Sequence, residues 1–139
     1  MVTPHFLGLY LADGDFNKTR ISVDHRHLFR IGDYLERYAA ERSLKVTIFD
    51  HSPYSAYSTY SLHSGPGNSP NPLGNALADL NVLYKPSRHH NNGKYVSVQK
   101  AKDVYGIQKH VPDRFKTTTV LDDKIMLIAG FLDGDGGNV

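Results

Sequence analysis

Two stretches of this chain end alike: Phe6-Leu7-Gly8-Leu9-Tyr10-Leu11-Ala12-Asp13-Gly14 near the start, and Ile128-Ala129-Gly130-Phe131-Leu132-Asp133-Gly134-Asp135-Gly136 near the end. Aligned, small residues coincide at Gly8/Gly130 and Ala12/Gly134, and Asp-Gly closes both. Residues four apart share one helix face. Two faces of small residues let helix backbones approach closely. The repeat therefore predicts two helices packed side by side with their C-terminal ends together, Gly8, Ala12, Gly130 and Gly134 forming the interface. Asp13 and Asp135 then sit at helix C-termini, where the macrodipole opposes negative charge by roughly 0.3–1 kcal/mol. Like-charge repulsion adds to that cost. A shared divalent cation reverses the sign of both effects, and Mg²⁺ takes oxygen ligands and serves phosphoryl chemistry. A lone Asp-Gly reads as a turn; it is the repetition that argues for a site.

Working outward, Thr3-Pro4 reads as an N-cap and a first-turn proline. The helix behind it is apolar nearly all round, which predicts burial, and Gly14 should close it in a left-handed cap. Thr19 to Val23 alternates, with Ile21 and Val23 on one side: a strand. Leu28 to Arg42 carries apolar residues at 28, 31, 35, 38 and 39, an amphipathic helix. Lys45 to Phe49 alternates again, pairing Val46 with Ile48. Ser55 to His63 reads as a strand packed on one face. Ser64 to Asn71 is a loop by composition, and Pro72 to Leu80 a short helix. Lys85 to Lys94 reads as a basic loop, with a short helix from Ser97 to Gly106. The last helix begins after Thr119 or Asp122 and should stop at Asp133-Gly134-Asp135-Gly136. The order predicts a mixed α+β fold with an antiparallel sheet.

The 139 residues suffice for a single domain with a real core. No apolar run reaches membrane length, and Met1 to His5 lacks the start of a signal peptide. With no cysteine there is no disulfide framework or thiolate metal site. The expectation is an intracellular protein, nuclear or cytoplasmic, not secreted and with no membrane partner. Net charge is +2, but between Lys85 and Lys116 eight Lys and Arg face only Asp103 and Asp113. Such an excess suits a polyanion, and also suits a solvated loop.

The two terminal segments resemble the paired dodecapeptides of the LAGLIDADG homing-endonuclease family. The first is similar to the form found in vacuolar-ATPase inteins and the mating-type-switching endonuclease. Thr19 to Asp24, Asn71-Pro72-Leu73 and Lys109-His110-Val111-Pro112 with Phe115 resemble segments between the motifs of that group, so the similarity covers most of the chain. The resemblance implies an αββαββα half-domain plus the second motif helix. It implies site-specific, metal-dependent hydrolysis of double-stranded DNA, with Mg²⁺ or Mn²⁺ held by Asp13 and Asp135 and with Lys109 as an active-site lysine. The strands would lie over the major groove. Candidate DNA contacts are Lys18, Arg20, Arg26, Arg88, His89, His90, Lys94 and Lys100, mostly to phosphates.

A full member continues past the second motif into a second half. This chain ends three residues after that motif, which reads as a domain incomplete at its C-terminus whose partner is the missing half or a second chain. The starting Cys and terminal His-Asn of an intein are absent. The rival reading is a catalytically inactive DNA-binding remnant, or a maturase-like nucleic-acid-binding module. A calcium loop over Asp13, Asp15, Asn17 and Asp24 has Lys18 where an EF-hand needs Gly. His25, His27, His89 and His90 match no zinc spacing, and His89-His90-Asn91-Asn92 lacks the surroundings of an HNH nuclease.

Overall fold

The computed structural model describes residues 2–15, 18–65, 71–80, 82, 112 and 121–135, with Lys18, Leu121 and Asp135 described by backbone alone. Helix α1 spans Pro4–Asp13. Proline at its first position has φ preset for the helix and lacks only an N–H that would go unused. Thr3 is extended, as an N-cap should be, but its side chain caps nothing. Its backbone N–H instead donates to the Tyr38 hydroxyl at 3.1 Å. Phe6 to Leu11 are all buried, and Phe6 stacks on Tyr38 with ring centroids 4.3 Å apart. Full burial of such side chains contributes about 1.5–3 kcal/mol each, which anchors α1 as the central helix.

The expected left-handed cap at Gly14 is not formed. Gly14 is extended (φ −79°, ψ 161°), because the chain enters strand β1 (Gly14–Asp15) directly. Glycine is needed there for space: a Cβ would lie 2.5 Å from Tyr10 Cδ1. Strand β2 (Lys18–Asp24) follows, with Thr19, Ile21 and Val23 buried in alternation. A strand at these positions leaves no loop for an EF-hand.

The helix expected over 28–42 begins differently. His25–His27 form a 3₁₀ turn and Leu28–Gly32 a π-turn, before helix α2 runs from Asp33 to Glu41. The apolar face holds: Ile31, Leu35, Tyr38 and Ala39 are buried, and Leu28 packs at the margin. Ser43 takes a left-handed φ of 57°, and Leu44 N donates to Ala39 O at 2.9 Å to close the helix end.

Strands β3 (Lys45–Asp50) and β4 (Tyr57–His63) complete one antiparallel sheet in the order β1-β2-β4-β3. β4 buries Ser58, Tyr60 and Leu62 on one face. Val46 is half-buried, but its expected companion Ile48 is 45% exposed. The cause is topological: β3 is an edge strand. Helix α3 (Pro72–Asp79) is capped by Asn71, whose Oδ1 accepts from Gly74 N at 3.1 Å. The same side chain donates to Leu62 O at 2.9 Å and ties α3 to β4. Helix α4 spans Leu121–Asp135, within the expected stop at Asp133-Gly134-Asp135-Gly136. The fold is mixed α+β, with one buried cluster joining α1, α2, α3 and the inner sheet face. The described residues contain no helix long and apolar enough to cross a membrane. The predicted loop over 85–94 and helix over 97–106 lie outside the described residues.

Candidate active site at the paired helix ends

Glycine brings α1 and α4 into backbone contact. A Cβ on Gly8 would collide with the carbonyl oxygen of Leu127, and one on Gly130 with that of His5. His5 and Leu127 each stand three positions before the glycine of their own helix. The two contacts are therefore equivalents about a local pseudo-two-fold axis between the helices. The helices run parallel, since Gly130 meets His5 and Gly134 meets Ala12 a turn or more further along.

The pair closes at Asp13. A Cβ on Gly134 would stand 2.8 Å from Ala12 Cβ and 2.9 Å from Asp13 Oδ2. The Asp13 carboxylate thus lies against the α4 backbone one residue before Asp135, in space that only glycine leaves open. Asp135 is described by backbone alone, and that backbone ends the helix beside Asp13. Asp13 and Asp135 thus stand at the C-termini of two parallel helices. Among the described residues, no three His, Asp or Glu side chains gather into a cation site. Nearby, Tyr10 is sealed in the core; burial first, then the Asp15 charge, push its hydroxyl well above the ordinary range. It donates to the Asp15 carbonyl.

Sequence reading missed Asp133. Its Oδ1 accepts from Arg30 Nη1 at 2.6 Å, and its Oδ2 lies 2.9 Å from His5 Nε2. Burial pushes this carboxyl up, but the hydrogen bonds from Arg30 and His5 outweigh it and hold it below the usual range. The three residues line an open pocket of about 240 Å³ with Tyr34 and Arg37. The aligned position in α1 is Leu11, which is buried in the core, so the pseudo-symmetry breaks at this point.

The outer sheet face is polar. Register places Arg20, Ser61 and Thr47 in one cross-strand row, and Ser22, Thr59 and Phe49 in the next. Lys45 pairs with His63, and Thr47 Oγ1 meets His63 Nε2 at 2.7 Å. The Arg20 guanidinium sits 5.6 Å above the Phe49 ring. Lys45, Thr47, Ser61 and His63 lie outside the contacts expected from the sequence. The same period-two alternation that marks Ile21 and Tyr60 as core marks these as their opposite face. Arg26 is committed elsewhere: its Nε and Nη2 donate to the Asp24 carboxylate at 3.0 and 3.1 Å. Lys18 lies in β2 by its backbone. Lys109, Arg88, His89, His90, Lys94 and Lys100 lie outside the described residues; of the segment that ends in Pro112, Pro112 alone is described, and it is buried.

The outer side of α4 carries Ile125, Ile128 and Leu132, each exposed by about half (51%, 55% and 53%). Compared with models of known protein families the chain matches none, and no curated protein matches it in sequence.

Proposed function

We propose that this chain carries a LAGLIDADG-type DNA-cleaving domain of the homing or intein class, which hydrolyses phosphodiester bonds in double-stranded DNA with Mg²⁺ or Mn²⁺. The observation that carries the reading is the glycine-mediated pairing of α1 and α4, which lays Asp13 against Gly134. The helix macrodipole opposes negative charge at both C-termini, and a bound cation would reverse that cost. The described element order, α1-β1-β2-α2-β3-β4-α3 and then α4, supports the half-domain that the sequence resemblance implies. In this reading Asp13 and Asp135 hold the cation, which when bound polarises phosphate oxygen and acidifies attacking water. Arg20, Lys45, Thr47, Ser61 and His63 offer DNA a face of cationic and hydrogen-bonding groups. Lys109 keeps its proposed role on the resemblance alone.

The exposed stripe on α4 favours a second reading as well. A second half, from further chain or another molecule, would cover it, and without that half the domain binds DNA and does not cut. A supercoiled-plasmid library incubated with Mg²⁺ or Mn²⁺ separates the two. Metal-dependent nicking abolished by Asp13→Asn and by Asp135→Asn supports the nuclease. Salt-sensitive binding without nicking supports the binding module. Neither activity overturns both.

A further inference from the structure

The glycine contact at His5 holds α1 and α4 close but does not by itself set how far one slides along the other. Gly130 and Gly134 stand four residues apart, on one face. Sliding α4 by one turn, about 5.4 Å, puts Gly134 where Gly130 now meets His5, so the His5 contact admits either register, whereas the Ala12–Asp13 contact would lose its glycine. The polar cluster adds a directional distinction between the two registers. Asp133 binds His5 of α1 at 2.9 Å and Arg30 of the turn before α2 at 2.6 Å. A one-turn slide breaks both bonds and strands a carboxylate that is now only 29% exposed. We infer that Asp133, clamped between His5 and Arg30, sets the register of α4 on α1 and so serves as a positioning residue for the Asp13–Asp135 pair. A partly buried polar group can fix the register of packed helices. Leu11, the α1 counterpart, is apolar and buried, so the clasp has no symmetry mate at that position. The register claim stands on the clasp; only its consequence for metal rests on the proposed function.

The chain has no cysteine, so introduced cysteines can be spin-labelled cleanly. Ile128→Cys on α4 would be paired in turn with Ala40→Cys on α2 and with Tyr54→Cys in the β3–β4 loop. Pulsed electron-electron resonance then reads two distances, so that a slide along α4 registers in at least one. The otherwise wild-type chain should give a single narrow distance for each pair. Arg30→Gln and Asp133→Ala should each add a population displaced by up to about 5 Å. The charge swap of Arg30→Asp with Asp133→Arg should restore the single peak. Unchanged distances in folded Arg30→Gln, or a swap that rescues nothing, would overturn the inference. Arg30 is half-exposed, so its substitution decides the matter even where Asp133→Ala fails to fold. None of these readouts needs DNA or metal, so failure of the nuclease reading would leave the register result intact.

Discussion

Asp13 and Gly134 meet across two helices: the position of a Cβ on Gly134 lies 2.9 Å from Asp13 Oδ2. The carboxylate occupies space that any other residue at 134 would claim. Gly134→Ala should therefore displace Asp13. Shaping a ligand from behind commonly matters by about 10–100-fold in metal affinity, and a loss of that size is expected here. Isothermal titration with Mn²⁺ reads it, and an unchanged affinity would detach Gly134 from the site.

Gly8→Ala and Gly130→Ala should destabilise the chain. Alanine gains about 1 kcal/mol of helix propensity over glycine. Here the added methyl meets backbone atoms of the facing helix, which cannot rotate away, and overpacking of this kind costs about 1–3 kcal/mol. The second effect should win. Chemical denaturation followed by circular dichroism checks the sign; stabilisation by either substitution would contradict close helix contact.

Arg26 is engaged by the Asp24 carboxylate in an exposed ion pair. Asp24→Asn should release it, tighten DNA binding, and steepen the dependence of log K on log salt by about one. Fluorescence anisotropy at several salt concentrations would show this. No change in slope would place Arg26 away from the DNA.

Asp24 also sets an acid dependence. The side-chain hydrogen bond from Arg26, then that from its backbone, lower the Asp24 carboxyl to about 2. A carboxyl lowered on folding stabilises the fold above its unfolded value, roughly 3.9, and that contribution fades as pH falls through the folded value. The melting-temperature gap between the wild type and Asp24→Asn should be constant near neutrality and close between about pH 4 and 2. A gap independent of pH over that range would refute the assignment.

Local pattern carries much of this fold. Ile21 and Val23 announce β2 because alternation is written in adjacent residues, and Phe6 to Leu11 announce a buried helix in the same way. Gly8 and Gly130 are found where the repeated segment predicts a close backbone approach. What escaped depends on distant neighbours. Gly14 has the composition of a left-handed cap but extends, because β2 pairs with the residues it leads into. Ile48 reads as core but is exposed, since strand order leaves β3 at the edge. Asp133 looks like part of a turn; its partners Arg30 and His5 lie 103 and 128 residues away in sequence, and no window reaches them.

We propose that the ends of α1 and α4 form one divalent-cation site. Electron paramagnetic resonance of Mn²⁺ titrated into the purified chain tests it without a DNA target. Bound Mn²⁺ should be seen with the wild type, and should be lost with Asp13→Asn and, separately, with Asp135→Asn while both variants stay folded. Equal binding by the wild type and the double variant, or no binding by the wild type even with DNA present, would contradict it.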